Sequence, residues 1–307
     1  MISVPLFSVI MPVYNKEPYI RDTIASVRAQ TFSSYEVVMI GGVSSDNTDV
    51  ICQEFVDKDP DVFRFARQTG KGVSNARNDG ILAARGRYVA FLDADDLWVP
   101  EYLEVMERLI ADFPDAVMYS AGFQRQYPDG QVTTPSIQWK RGYINYFRET
   151  SWSTHTSALI VDRQIVLACG LFKTNYPIAE DIDLMIRLAL RGKVAYEPML
   201  IEMHLVGLPG SLCIHGAKQS YLPIPGEPEF FENERIPEVI LYHEWMILGT
   251  AMTNMLHGYR REGRTQLEGV QVNYRTKVCL YKILSYVPTP VFLCLHWGYK
   301  FIFRRRL

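Results

Sequence analysis

The sequence is poor in cysteine and has no paired metal-ligand spacing. Only five of its 307 residues are cysteines, an odd number spread widely along the chain. Neither the close pairs typical of zinc sites nor the dense, even pattern of a disulfide framework is present. A cysteine-based zinc site and a disulfide framework are therefore disfavoured, and the composition favours a reducing compartment. The cysteines are Cys52, Cys169, Cys213, Cys279 and Cys294.

Acidic residues are missing from the end of the chain. All 34 of them lie at or before Glu268, whereas the last 39 residues carry seven lysines or arginines. The net charge of -2 therefore divides into -9 for residues 1–268 and +7 for the tail. An acidic body excludes broad electrostatic binding of nucleic acid, which needs a cationic surface on the folded domain.

A secretory signal and a full-length membrane span are also missing. Met1–Phe7 has no charged region followed by a long apolar stretch, so we expect a cytoplasmic protein. Ile283–Tyr299 contains no Lys, Arg, Asp or Glu, but it includes Pro288 and Pro290. Its 17 residues fall short of the roughly 20 apolar residues of a spanning helix.

The tail combines aromatic and basic residues. Trp297 and Tyr299 precede Lys300 and the run Arg304–Arg306. Such clusters are typical of membrane interfaces rich in anionic lipid. We therefore predict peripheral attachment to the inner face of the cell membrane. The alternative is a C-terminal helix that packs on the protein and leaves its basic end in solvent.

Two common nucleotide-binding motifs are absent. Thr69–Gly72 is superficially like a phosphate-binding loop, but Phe65 stands where that loop needs its first glycine. No Ser or Thr follows Lys71, and no G-x-G-x-x-G follows the first predicted strand. A P-loop NTPase is excluded, and a dinucleotide-dependent oxidoreductase is disfavoured.

The first 120 residues alternate between short apolar runs and segments of helical period. The pattern predicts strands over Phe7–Val13, Glu36–Ile40, Val62–Ala66 and Arg87–Leu92, with helices between them. This alternation indicates an α/β fold with a doubly wound, mostly parallel sheet. Further predicted elements are a strand over Trp152–Val161, a helix over Asp181–Leu190 and helices over Pro237–Tyr259 and Gln266–Tyr286.

Three carboxylates stand together at the end of the fourth predicted strand, in Asp93-Ala94-Asp95-Asp96. Ligands bind at this end of the strands in open α/β sheets. Like charges this close repel unless a cation lies among them, and Mn²⁺ or Mg²⁺ prefers such oxygen ligands. The alternative is that Asp95 or Asp96 only caps the helix that begins near Pro100.

Four segments of the sequence form a recognisable set. They are Phe7–Asn15 (FSVIMPVYN), Gly72–Gly80 (GVSNARNDG), Arg85–Asp96 (RGRYVAFLDADD) and Ala179–Arg187 (AEDIDLMIR). Together they resemble the family 2 glycosyltransferases, which are inverting enzymes of the GT-A fold. The match runs over about residues 5–215, and the segments occur in the family's order.

The resemblance implies a Rossmann-like nucleotide-diphospho-sugar transferase fold with a helical C-terminal extension. Residues 1–215 are expected to form the catalytic domain, with a nucleotide-binding half (1–120) and an acceptor-binding half (121–215). Residues 216–307 are expected to hold a linker and the helical, basic C-terminal region.

The resemblance also implies a donor site at the Asp-X-Asp motif. Asp93 is expected on the ribose side of a nucleotide sugar, and Asp95 on the metal, Mn²⁺ or Mg²⁺, that grips the diphosphate. Arg77 falls where the family keeps a basic residue near the nucleotide; without the resemblance it would be read as a surface arginine. The remaining donor-binding positions are Pro12, Val13, Tyr14, Asn15, Glu17, Gly41 and Ala94.

Glu180 and Asp181 match the acidic pair that opens a helix in the family. Inversion requires a base that accepts the proton of the attacking acceptor hydroxyl. We assign that role to Asp181 and acceptor orientation to Glu180; the alternative is that the pair only caps the helix. His204 resembles a histidine that completes the metal site in some members, and its alternative is a packed core residue.

The sequence departs from the family at the end of the second strand. The family usually carries one or two aspartates there that read the nucleobase, but Gly41-Gly42-Val43 occupies these positions. Either another group reads the base, or the donor nucleotide differs, or the enzyme has degenerated. Asp46 is a candidate replacement, although its position favours helix capping.

The sequence therefore predicts a metal-dependent glycosyltransferase of polysaccharide biosynthesis. The expected donor is a UDP-sugar, and the expected acceptor is a glycan or a lipid-linked glycan. A catalytically silent sugar- or nucleotide-binding protein is the first alternative, suggested by Gly41-Gly42. A nucleotidyltransferase is the second, and the acidic pair before a helix speaks against it.

Overall fold

The chain forms two compact units, Met1–Ile214 and His215–Leu307. The computed structural model describes residues 4–135, 139–148, 154–176, 179–208, 237–256, 260–270 and 275–284, together with Tyr286. The basic cluster of the tail lies outside these residues, so its predicted membrane contact stays a prediction. Among the helices described, none is long and apolar enough to cross a membrane.

The first unit is built on a ten-stranded sheet in the order β3-β2-β1-β4-β9-β6-β10-β5, with β7 paired to β6 and β8 to β10. The strands β3, β2, β1 and β4 are parallel, whereas β9 pairs antiparallel with both β4 and β6. The strands are β1 (Phe7–Val13), β2 (Tyr35–Gly41), β3 (Phe63–Arg67), β4 (Tyr88–Phe91), β5 (Leu97–Trp98), β6 (Ala116–Gln126), β7 (Val132–Thr133), β8 (Gly142–Ile144), β9 (Leu159–Asp162) and β10 (Lys193–Leu205).

Helices flank this sheet, which confirms the predicted α/β class. The helices of the first unit are α1 (Ile20–Arg28), α2 (Thr48–Lys58), α3 (Val73–Ala83), α4 (Tyr102–Asp112), α5 (Arg163–Ala168) and α6 (Glu180–Ala189). A 3₁₀ turn over Thr156–Ala158 precedes β9. The predicted strand over Trp152–Val161 was therefore too long, and the structure begins it at Leu159.

The second unit is helical in its described part. Its helices are α7 (Pro237–Leu256), α8 (Arg260–Gln266) and α9 (Arg275–Leu284), and a 3₁₀ turn covers Leu267–Gly269. The single helix predicted over Gln266–Tyr286 was wrong at its start, where the chain leaves helical geometry at this turn. Gly269 explains the break, since glycine is a poor helix former.

The central strand β1 is buried because helices cover both faces of the parallel sheet. Ile10 and Met11 point to opposite faces, and neither is exposed to solvent. On one side, Gly80 of α3 lies so close to Ile10 that a Cβ atom at this glycine would stand 2.4 Å from Ile10 Cγ2. This tight packing fixes α3, and with it Arg77, against the sheet.

Candidate active site

Most of the predicted donor residues lie at the carboxyl ends of β1 and β4, whereas Gly41 ends β2 and Arg77 lies in α3. These two strands are parallel neighbours, so the loops that follow them leave the sheet at the same edge. Tyr14 follows β1 and is 59% exposed, whereas Asp93 and Asp96 follow β4. Pro12 and Val13 belong to β1 itself, and Ala94 is buried. An exposed ring at the same edge of the sheet as these carboxylates suits a ligand that is partly aromatic and partly charged.

Arg77 is a buried arginine that joins two carboxylates from distant parts of the chain. Its Nη2 donates to Asp93 Oδ1 at 2.8 Å, and its Nη1 donates to Glu180 Oε1 at 2.7 Å. Its guanidinium also lies 5.3 Å from the centre of the Phe172 ring. Only 3% of Arg77 is exposed, so reading it as a surface residue was wrong.

Burial and charge oppose each other at this arginine. Burial alone would lower the pKa of Arg77, but Asp93 and Glu180 outweigh it and raise that pKa. Burial raises the pKa of Asp93, and Arg77 more than compensates, so the net shift of that pKa is downward. Arg77 therefore favours the ionised form of the partly exposed Asp93.

The acidic pair opens α6. The preceding residue, Ala179, has a φ of 66°, a conformation that costs a non-glycine residue about 1–3 kcal/mol. Burial and the neighbouring Asp181 raise the pKa of Glu180 despite Arg77. Thr156 Oγ1 donates to Asp181 Oδ2 at 2.9 Å, so the 3₁₀ turn before β9 orients this carboxylate.

Asp95 has a partner that the sequence did not indicate. Lys16 Nζ donates to Asp95 Oδ2 at 2.5 Å, and 14% of the Asp95 side chain is exposed. Burial raises the pKa of Asp95, and Lys16 opposes that shift only in part. Lysine thus supplies a positive charge at the carboxylate that we predict to hold a metal.

Asp96 points inward and is fixed by two hydrogen bonds. Its Oδ2 accepts from Ser157 Oγ at 2.5 Å, and its Oδ1 accepts from the backbone N–H of Leu205 at 3.1 Å. The same Ser157 oxygen accepts from the backbone N–H of Asp93 at 3.1 Å. Capping of α4 is therefore not the role of Asp96, because its partners lie on other elements.

His204 lies on β10 with its ring stacked on His155, the two ring centres 4.0 Å apart. Its Nδ1 is buried and has no hydrogen-bond partner among the residues that the structure describes. Burial and the neighbouring His155 lower the pKa of His204 to about 3, so this imidazole is neutral. A neutral imidazole can bind a metal, and the predicted ligand role stays a prediction.

The loop after β2 is held by the residues that follow β1. Asn15, with a φ of 51°, accepts from the backbone N–H of Ser45 at 2.8 Å. Glu17 accepts from the backbone N–H of Asn47 at 3.0 Å and from its side chain at 2.7 Å. Asp46 accepts from the backbone N–H of Thr48, the first residue of α2, at 3.0 Å and from the backbone N–H of Glu17 at 3.1 Å. Asn15 and Glu17 therefore stabilise the loop between β2 and α2 through these hydrogen bonds.

The two glycines at the end of β2 differ in the space around them. A Cβ atom at Gly41 would stand 2.9 Å from Val13 Cγ2 and 3.1 Å from its carbonyl oxygen, so no side chain fits there. At Gly42 the atoms nearest to a Cβ atom would be Tyr14 Cδ2 at 3.3 Å and the Gln68 amide nitrogen at 3.7 Å. Gln68 is thus the polar side chain nearest to the missing carboxylate at Gly42.

The fold and the acidic edge define a GT-A type α/β protein. The model of glycosyl transferase family 2 matches residues 8–165, which is just over half of the chain. The chain therefore belongs to glycosyl transferase family 2.

Curated relatives share only a segment with this chain. WfgD of Escherichia coli, a UDP-Glc:alpha-D-GlcNAc-diphosphoundecaprenol beta-1,3-glucosyltransferase, is 37% identical over 114 residues. That match covers 37% of this chain and 44% of WfgD. The matches cover less than half the length of these curated relatives, from 44% of WfgD down to 10% of the minor teichoic acid biosynthesis protein GgaB of Bacillus subtilis.

Solved structures resemble nearly the whole chain in fold. S. aureus TarS (residues 1–349), in complex with UDP-GlcNAc, has a TM-score of 0.60 at 17% identity and covers 92% of this chain and 81% of its own. The mannosyltransferase PcManGT from Pyrobaculum calidifontis, in complex with GDP-Man and Mn²⁺, has a TM-score of 0.61 at 19% identity. That match covers 94% of this chain and 87% of PcManGT.

Proposed function

We propose that this protein is an inverting glycosyltransferase that moves a sugar from a nucleotide-sugar donor to a glycan or lipid-linked glycan acceptor. The observation that carries the proposal is the double ion pair of Arg77. It joins Asp93, at the donor edge of the sheet, to Glu180, in the acidic pair at the start of α6. One buried cation thereby links the predicted leaving-group side to Glu180, the residue next to the predicted base Asp181.

In the proposed reaction, Asp181 accepts the proton of the acceptor hydroxyl as that oxygen attacks the anomeric carbon. The bond from this carbon to the diphosphate breaks in the same displacement, so its configuration inverts. Thr156 holds the Asp181 carboxylate in place, and Glu180 orients the acceptor. Arg77 stabilises the negative charge at this edge of the site.

Asp95 suits a hard divalent cation because its carboxylate is partly exposed and offers oxygen ligands. We propose that it holds Mn²⁺ or Mg²⁺, and His204 offers a neutral imidazole as a further donor. Such an ion, when bound, neutralises charge on the departing diphosphate. Lys16 already contacts Asp95 and provides a second positive charge for the same phosphates.

We propose a UDP-sugar as the donor and a lipid-linked saccharide as one acceptor class. Two observations on other proteins support this: the S. aureus TarS structure contains UDP-GlcNAc, and the name of WfgD describes UDP-Glc and a diphosphoundecaprenol acceptor. Tyr14 is exposed beside Gly42 and offers a face on which a base can stack. Gln68 would then replace the missing carboxylate as the polar group near the base.

Donor hydrolysis tests the proposed function. We expect the wild-type chain to release UDP from a UDP-sugar in the presence of Mn²⁺, and Asp95→Asn to lower that rate by about tenfold or more, since the metal loses its ligand. Asp61→Asn, at an exposed position of the same unit, is the matched control and should behave as wild type. Absence of metal-dependent UDP release from the wild type would favour a silent sugar-binding protein instead.

We also propose that the basic tail attaches the enzyme to anionic membranes. Ile283 and Tyr286, at the end of the described chain, are 66% and 75% exposed, which places apolar surface just before the tail. Each lysine or arginine near an anionic surface contributes about 1 kcal/mol. The four basic residues beyond Tyr286 are Lys300, Arg304, Arg305 and Arg306.

Vesicle co-sedimentation tests this attachment. We expect the full chain to sediment with vesicles that contain anionic lipid, and a chain ending at Ser285 to bind at least about tenfold more weakly. A triple variant with Arg304, Arg305 and Arg306 changed to serine should lose most of the same binding. Equal sedimentation of the truncated chain would disprove the role of the tail.

A further inference from the structure

Behind the Asp-X-Asp motif, three potential metal ligands converge from separate segments. They are Asp96 after β4, His155 just before the 3₁₀ turn, and Glu202 on β10. One ligand atom from each lies within 4.8 Å of the other two. Among the residues that the structure describes, this is one set of three that could hold an ion together, and it differs from the predicted pair of Asp95 and His204.

The cluster contains buried polar atoms without partners. Asp96 and Glu202 are each only 2% exposed, and Glu202 Oε1 has no hydrogen-bond partner within the described residues. His204 Nδ1, on the ring stacked against His155, is also unpartnered there. An orphaned buried carboxylate oxygen is costly, so its presence points to a group that binds it.

The cluster places two buried acidic side chains around one imidazole. Glu202 Oε2 lies 3.3 Å and Asp96 Oδ2 lies 3.8 Å from His155 Nδ1. A divalent cation between these side chains would bind oxygen and nitrogen ligands together, and it would also provide Glu202 Oε1 with a partner.

The surroundings of Asp96 resemble those of a metal ligand in other proteins. Ser157 and the backbone of Leu205 hold its carboxylate through hydrogen bonds, and each oxygen keeps a further lone pair for an ion. In metal sites, groups that hydrogen-bond to a ligand without touching the ion hold that ligand in the correct orientation. An oxygen and imidazole set of this kind favours Mn²⁺ or Zn²⁺ over Mg²⁺, which prefers oxygen alone.

We propose that Asp96, His155 and Glu202 bind a first-row divalent cation that is separate from the ion at Asp95. This ion ties the loop after β4 to the turn before β9 and to β10. It therefore fixes the backbone that carries Asp93, Asp95 and Thr156. Its role is structural, and it does not require the nucleotide sugar.

Metal titration of the full chain, without nucleotide, tests this proposal. After treatment with a chelator, we expect Mn²⁺ or Zn²⁺ to bind and to raise the melting temperature, and Mg²⁺ at the same concentration to have a much smaller effect. Glu202→Gln and His155→Gln should each weaken Mn²⁺ binding by about tenfold or more, because a ligand is lost. Asp95→Asn should keep the Mn²⁺ binding and the rise in melting temperature that depend on His155 and Glu202.

The variants separate this site from the one at Asp95. Circular dichroism in chelator checks that each variant is folded, and His155→Gln provides the test if Glu202→Gln does not fold. Wild-type affinity in both variants would overturn the proposal, as would a wild-type chain that binds no Mn²⁺ or Zn²⁺ without nucleotide. Loss of nucleotide-free binding in Asp95→Asn would also overturn it, because the ion would then belong to the donor site. The UDP release assay remains an independent measure of the proposed function.

Discussion

Asp181→Asn is expected to lower kcat for sugar transfer by about 10²–10⁴-fold, the usual contribution of a positioned general base. Asparagine cannot accept the proton of the acceptor hydroxyl. Its one oxygen can still accept the hydrogen bond from Thr156 Oγ1, which lies 2.9 Å from Asp181 Oδ2, although the bond from the backbone N–H of Ile182 to Oδ1 is lost. The rest of α6 is unchanged, so the start of the helix should keep its geometry. The measurement is the rate of transfer to acceptor under saturating donor.

The folded state and donor binding serve as controls for this variant. Its melting temperature and its affinity for UDP should stay close to those of the wild type, and Asp61→Asn should transfer sugar normally. A variant that keeps more than a tenth of the wild-type kcat would contradict the assignment of Asp181 as the base. A variant that also loses UDP binding would instead indicate a structural role for the α6 N-terminus.

The sequence predicts the parallel half of the fold well because its signals are local. Apolar runs separated by helical periods mark β1 to β4, and β1 has the predicted bounds Phe7–Val13. The antiparallel insertion of β9 between β4 and β6 has no such signal. The order of strands depends on which strands pair with each other in the sheet. A hydrophobic pattern shows only that a strand is buried, and it does not identify the neighbouring strand.

The residues of the candidate site also fall into a predicted group and a group that the sequence did not indicate. The family resemblance brought Arg77, Asp93 and Glu180 into one hypothesis, although Arg77 and Glu180 are 103 residues apart in the chain. Lys16, His155 and Glu202 were missed, because a single polar residue carries no periodicity. The available signal was Glu202 itself, a carboxylate between Ile201 and Met203 in an apolar strand, since such residues are rarely buried without a partner.

Arg77→Met tests whether the buried ion pairs hold the two sides of the site together. We expect the variant to lose about 3–5 kcal/mol of the free energy of unfolding at neutral pH, the usual result of removing one member of a buried pair. Methionine fills much of the same volume, but Asp93 and Glu180 are left without their countercharge. Urea denaturation of both chains measures the difference. Arg21→Met, which breaks the exposed pair with Glu54, is the matched control and should cost far less.

The difference in the free energy of unfolding between the wild type and Arg77→Met, measured against pH, shows whether the variant loses ion pairs or only packing contacts. In the wild type Arg77 lowers the folded-state pKa of Asp93, so this stabilisation is present above the unfolded-state pKa and disappears as the pH falls through the folded-state value. In Arg77→Met this stabilisation of the ionised Asp93 is absent at every pH. As the pH falls, the carboxyl groups of Asp93 and Glu180 can take up protons and no longer need a countercharge. The difference between the two chains should therefore be largest near neutral pH and shrink on acidification, and Glu180→Gln in the variant background should recover part of it. A difference that is the same at pH 7 and in acid would show that Arg77 contributes packing alone, and the link between donor edge and acidic pair would then need another explanation.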